Sequence, residues 1–127
     1  MIHLDTHVLV WVLAGNTARL PAGVRALLES ERLMISPIVR LELTYLYEIG
    51  RITATAEDVL QALRPALELV ESTAPFSEVV AQAATLTWTR DPFDRLIVGN
   101  ALADGADLLS ADQTVRAHLR SARWPAD

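Results

Sequence analysis

Short apolar runs alternate along this chain with stretches of helical periodicity, and that alternation constrains the fold more than any other feature. Ile2–Leu4, Leu33–Ile35 and Leu108-Leu109 read as brief buried strands. Strands separated by helices pair in parallel through right-handed crossovers, so the expected class is α/β with a parallel sheet. The 127 residues make one domain, taken as 1–127, without repeats or linkers. In such sheets the functional crevice lies beyond the carboxyl ends of the strands.

Capping chemistry places the helices. One is expected from Thr6 to Leu13, stopped by Gly15-Asn16, and a second from Pro21 to Ser30. Ser36-Pro37 opens a third that runs to Ile49 and ends at Gly50. Ala56 to Leu63 forms a fourth, followed by a short strand around Leu67 to Val70. Ser77 is expected to cap a helix reaching Leu86, and Asp91-Pro92 to open one that ends at Gly105. Gln113 to Leu119 is the last helix, and the tail near Trp124-Pro125 a short edge strand.

Acidic residues then fall where the crevice should be. Asp5 follows the first strand, and Asp112 follows the Leu108-Leu109 strand by three residues. Asp94 lies in the first turn of the helix opened by Pro92; the sequence alone does not assign it to an edge of the sheet. Glu42 sits on the apolar stripe Ile38, Tyr45, Leu46 and Ile49 of its helix, where a glutamate needs a positive partner. Each has a structural reading as well. Asp5, Asp91 and Asp112 can cap helices, Asp94 can complete a capping box, and Glu42 can pair with Arg40 or Arg95. Taken together, four converging carboxylates repel one another unless a cation offsets them. Oxygen donors without histidine or cysteine select Mg2+ or Mn2+. Such a site suits phosphodiester hydrolysis.

Other chemistries are poorly supported. The chain has no cysteine, which removes disulfides, thiolate zinc sites and a cysteine nucleophile. The serines lack a histidine–acid arrangement, and no glycine-rich phosphate loop occurs. His3, His7 and His118 are read as structural, and Trp11, Trp88 and Trp124 as packing residues. No segment resembles a targeting peptide or a membrane span, and a cytoplasmic location is expected. The formal charge of −5 is the wrong sign for a nucleic-acid binder, but the basic residues are all arginines, the better phosphate partners, and a bound metal neutralises its ligands.

The ordered motifs resemble a known family. Leu4-Asp5-Thr6-His7-Val8-Leu9-Val10-Trp11 resembles the opening of PIN-domain proteins, and Ser36-Pro37, Glu42 and Gly50-Arg51-Ile52 their second motif. Arg90-Asp91-Pro92-Phe93-Asp94-Arg95-Leu96-Ile97 is the most specific match, and Leu109-Ser110-Ala111-Asp112 is similar to the last motif. The resemblance is closest to the VapC-type toxins of type II toxin–antitoxin modules. It implies a three-layer α/β/α sandwich and a Mg2+- or Mn2+-dependent endoribonuclease whose acidic site is Asp5, Glu42, Asp94 and Asp112. Asp5 and Asp94 would ligate metal most directly. Glu42 and Asp112 would act through water, hold a second metal, or orient the attacking water. Thr6, Ser110 and Arg95 are assigned to substrate contact or site support, and Asp91 to capping. The resemblance also implies a homodimer silenced by a small antitoxin protein that covers the site, with RNA as substrate.

Two other readings compete. A receiver or haloacid-dehalogenase-like phosphotransfer protein also places an aspartate after its first strand. The second of these needs another aspartate where His7 stands, and a receiver needs a lysine this chain lacks. A non-catalytic PIN-like binding module would have no use for an intact carboxylate set that costs stability.

Overall fold

The computed structural model describes residues 1–126. Five short strands, β1 (Ile2–Leu4), β2 (Leu33–Ile35), β3 (Val70–Glu71), β4 (Asp107–Leu109) and β5 (Ala122–Arg123), form one sheet in the order β3-β2-β1-β4-β5. Every pairing is parallel, with Ile2 opposite Leu33 on one side and Asp107 on the other. The chain first winds outward from β1 to β3, then returns past β1 to β4 and β5. Its direction therefore reverses between β1 and β4, which makes the carboxyl ends of those two strands the switch point.

The central strand is fully enclosed: Ile2, His3 and Leu4 are all buried, as parallel strands covered on both faces should be. Helices α1 (Thr6–Leu13), α2 (Ala22–Ser30), α3 (Ile38–Glu48) and α4 (Ala56–Leu67) connect β1, β2 and β3. Helices α5 (Phe76–Ala83), α6 (Pro92–Ala103) and α7 (Gln113–His118) lead into β4 and β5. Right-handed crossovers in opposite directions put these two groups on opposite faces, giving three layers. Accordingly α1, α3 and α4 touch one another, and α5 lies along α6. Gly99 permits that second contact, because a Cβ there would lie 2.8 Å from the Val79 carbonyl and 2.9 Å from the Ala83 nitrogen.

A buried polar knot ties α6 beneath β1. His3 Nε2 meets Asp104 Oδ2 at 2.7 Å, and Ser72 Oγ donates to the same oxygen at 2.6 Å. Asn100 Nδ2 donates to Ser72 Oγ at 2.8 Å. Burial lowers the His3 pKa against the opposing pull of Asp104, so the ring is neutral with its proton on Nε2. The helix that carries Asp94 is thereby anchored to the central strand.

Several boundaries differ from the sequence reading. Helix α4 continues through Pro65 to Leu67 and stops at Glu68, which takes a left-handed conformation at φ 50°. The proline sits in the last turn, where one lost hydrogen bond breaks little. The strand after it is accordingly Val70–Glu71. Helix α5 starts at Phe76, with Pro75 rather than Ser77 at its N-cap, and ends at Ala83 rather than Leu86. The edge strand is Ala122–Arg123, ahead of Trp124-Pro125. A 3-10 turn at Thr17–Arg19, not anticipated, follows α1. Among the described residues no helix is long and apolar enough to cross a membrane.

Candidate active site

Asp5 comes first because β1 ends there. Its backbone is extended, and its Oδ1 accepts from the Thr6 amide at 2.9 Å, which starts α1. The other oxygen, Oδ2, accepts from the Ser110 hydroxyl at 2.7 Å. Ser110 follows β4, and Leu4 pairs with Leu109, so the two residues are neighbours at the switch point. Ser110 Oγ also accepts from the Asp112 amide at 3.1 Å. Asp112 in turn caps α7 by accepting from Val115 through Oδ1 alone. Its second oxygen makes no cap bond.

Asp94 is placed by its own helix. Asp91 caps α6, with Oδ1 accepting from the Phe93 amide at 2.8 Å and the Asp94 amide at 3.3 Å. A capping box would have Asp94 reach back to the Asp91 N–H. That N–H instead donates to Thr89 Oγ1 at 3.2 Å, so the Asp94 carboxylate is not consumed by capping.

Glu42 enters from α3. The buried residues of that helix are Val39 and Leu43, while Tyr45 and Ile49 are exposed. The inward stripe is therefore Val39, Leu43 and half-buried Leu46, and Glu42 lies beside it, half-buried. It makes no salt bridge to Arg40, which pairs with Glu71, nor to Arg95.

These four carboxylates line one pocket of about 320 Å³, with Thr6 and Asp91. Its electrostatics are those of crowded anions. Burial, then the charges of Asp91, Asp5, Asp112 and Glu42, push Asp94 up to about 7. Burial also raises Glu42, and Asp5 and Asp91 add to the shift. The Thr6 hydroxyl works against it. A larger hollow of about 610 Å³ lies between α1, α2 and the end of α4, but the carboxylate set is not in it.

The donor set suits a hard divalent cation. Every candidate group offers oxygen, and the Thr6 hydroxyl adds another at the wall. Among the described residues no three acidic or histidine side chains are arranged to cage an ion by themselves.

Arg95 does not join the site. Its guanidinium donates to the Ala83 and Ala84 carbonyls at 3.1 and 3.2 Å, closing the end of α5. Residues not assigned to the site from sequence also line the pocket, among them His7, Trp11 and Arg51. His7 Nε2 accepts from the Ala111 amide at 2.9 Å, which leaves the ring proton on Nδ1, 3.8 Å from Asp5 Oδ2. Burial lowers its pKa, with Asp5 and Asp112 opposing, so the neutral ring braces the loop after β4. Trp11 packs against His7 and Trp124, with ring centroids 4.8 and 6.0 Å away. Only the one-turn spacing of His7 and Trp11 on α1 hinted at this wall.

The chain is similar to known proteins over nearly its whole length. The family model described as PIN domain matches residues 2–118. Ribonuclease VapC22 of Mycobacterium tuberculosis is 32% identical over 117 residues, spanning 91% of this chain and 89% of that protein. Two solved structures share the fold. A toxin–antitoxin complex from Klebsiella pneumoniae aligns with a TM-score of 0.68 at 16% identity, over 97% of this chain and 96% of that one. VapBC2 from Rickettsia felis, bound to a DNA fragment from its promoter, aligns with a TM-score of 0.66 at 20% identity, over 100% and 99%.

Proposed function

The chain belongs to the PIN-domain family, among its VapC-type members, and from that premise we propose that it is a divalent-metal-dependent endoribonuclease acting as the toxin of a type II toxin–antitoxin module. The observation that carries this reading is Asp94. Its carboxylate is half-buried among four others, spared from capping, and pushed to about 7. Such a group is poised for a cation or a proton in transit, not for structural support.

Asp5 and Asp94 would hold the ion, and Ser110 would fix the Asp5 carboxylate toward it. Mg2+ or Mn2+ bound there would polarise a phosphate oxygen and acidify a water. Glu42, raised by burial, is suited to take the proton that water loses as its oxygen bonds to phosphorus. Asp112 and Thr6 would orient that water. The P–O bond to the neighbouring ribose would break, and the departing oxygen would take up a proton from solvent. His7 would keep the loop of Ser110 and Asp112 in place through the Ala111 amide.

The likeness to toxin–antitoxin structures supports a cognate antitoxin protein as partner. A homodimer and a cytoplasmic setting complete the proposal, with residues 1–127 as one PIN domain. The test is RNA cleavage by purified protein with Mg2+, Mn2+ or chelator, beside Asp5→Asn. Metal-dependent cleavage that disappears in the variant is expected. No cleavage and no thermal shift on adding metal would point to a binding module instead.

A further inference from the structure

The proposed site has a sign problem, and one residue answers it. Five carboxylates (Asp5, Glu42, Asp91, Asp94 and Asp112) face a pocket that must admit a polyanion. Of the eleven basic residues, Arg51 is the one that lines this pocket among the described residues. Its possible competitors are engaged or elsewhere. Arg40 and Arg64 pair with Glu71, Arg123 with Asp107, and Arg95 closes α5, while Arg19 covers the Trp11 ring at 4.9 Å.

Arg51 reaches the pocket through local backbone chemistry. Helix α3 ends, and Gly50 takes φ 77°, a left-handed conformation that glycine adopts freely. The Arg51 amide then returns to the Leu46 carbonyl at 2.8 Å, which turns the chain back toward Glu42. Among the described residues its guanidinium makes no hydrogen bond or ion pair. Behind it opens a second, mainly apolar groove of about 420 Å³, lined by Leu13, Ala54 and Val59. The two hollows share Val10, Arg51 and Ile52, so Arg51 stands at their junction.

We propose that Arg51 holds a phosphate of the RNA next to the bond being cut. This rests on the nuclease reading above. An unpaired guanidinium offers a phosphate two parallel N–H donors. Arg51 thus supplies the attraction that the acidic pocket lacks and sets which phosphate lies over the carboxylates.

The experiment measures binding of a fluorescein-labelled, random-sequence single-stranded RNA pool to the uncleaving Asp94→Asn protein in Mg2+. Arg51→Ala and Arg51→Lys are compared on that background over a salt series. Loss of one phosphate contact should weaken binding about tenfold in Arg51→Ala. It should also reduce the slope of log affinity against log salt by about 0.7. Arg51→Lys should recover the slope but only part of the affinity, since the fork is gone. In the otherwise native protein, Arg51→Ala should raise KM for cleavage of the same pool more than it lowers kcat, with Tm unchanged. Slope and affinity unaltered by Arg51→Ala, in a protein whose parent cleaves RNA, would overturn the assignment and leave the nuclease standing. A parent that neither binds nor cleaves RNA would remove both.

Discussion

The Ser110 hydroxyl donates to Asp5 Oδ2 at 2.7 Å, joining residues 105 positions apart at the ends of two paired strands. Ser110 Oγ itself accepts from the Asp112 amide, so one hydroxyl organises two acids of the pocket. Ser110→Ala leaves Asp5 Oδ2 and the Asp112 N–H without that partner. We expect a 10–100-fold loss of Mg2+ affinity, the usual cost of removing a group that orients a ligand. Stability should fall by about 1–3 kcal/mol. Calorimetric titration with Mg2+ and denaturant unfolding measure the two effects. Unchanged Mg2+ affinity would mean that Asp5 does not depend on Ser110 for its orientation.

Asp94→Asn should abolish metal-dependent cleavage and leave the fold intact. The capping return bond that would make Asp94 structural is absent, since Thr89 takes the Asp91 N–H. Cleavage assays and thermal melts in chelator check this. A large drop in Tm would restore a structural role for Asp94.

The pH dependence follows from the same residue. In the metal-free protein Asp94 stays protonated to about 7, against an ordinary value of 3.8. Between those limits the folded state binds more protons than the unfolded one, so this group's contribution is full below about pH 4 and is lost as pH rises toward 7. His3 and His7, both lowered, act in the opposite sense just below 6.5. Subtracting melts of Asp94→Asn from those of the parent cancels the histidines. The variant's advantage should be near zero at pH 4 and grow to pH 7. Saturating Mg2+ should shrink it by stabilising the parent. A flat difference would show that Asp94 is not held in its neutral form.

Glu42→Gln should weaken Mg2+ binding about 10–100-fold with little change in stability, because a half-buried carboxylate among like charges gains nothing from its own charge. If Glu42→Leu were strongly stabilised and still cut RNA, the group would be neither ligand nor proton acceptor.

How far the sequence discloses this molecule depends on what each residue answers to. Strands β1 and β2 and helices α1, α3 and α6 were legible because local chemistry determines them: Ser36 Oγ accepts from the Ile38 amide, and Asp91 caps α6 as its Asp-Pro pair implies. Strands β3 and β5 have two residues each, too few for any period, and exist because neighbouring strands offer them hydrogen bonds. The exposure of Tyr45 was hidden for another reason. Its ring packs on Phe93 of α6 with centroids 5.6 Å apart, a contact between helices that no single-helix stripe can reveal. Arg95 and Arg51 make the same point in opposite directions. Both lie near acidic motif residues, yet the first is drawn away by the carbonyls of α5, while the second, exposed beyond Gly50, stays at the rim of the pocket.

The strand order carries a consequence for biosynthesis. β1 precedes the other strands in the chain but lies in the middle of the sheet, and its neighbour β4 is made near the end. A polypeptide halted after β3 would carry Asp5 and Glu42, but neither Asp94, Asp112 nor the hydroxyl that aligns Asp5. The acids thus cannot gather on a chain still being translated through its middle. On the proposed reading, a chain of this design would hold no complete acidic site until β4 and the residues through Asp112 had been made, and the RNA around it during its own manufacture would be spared.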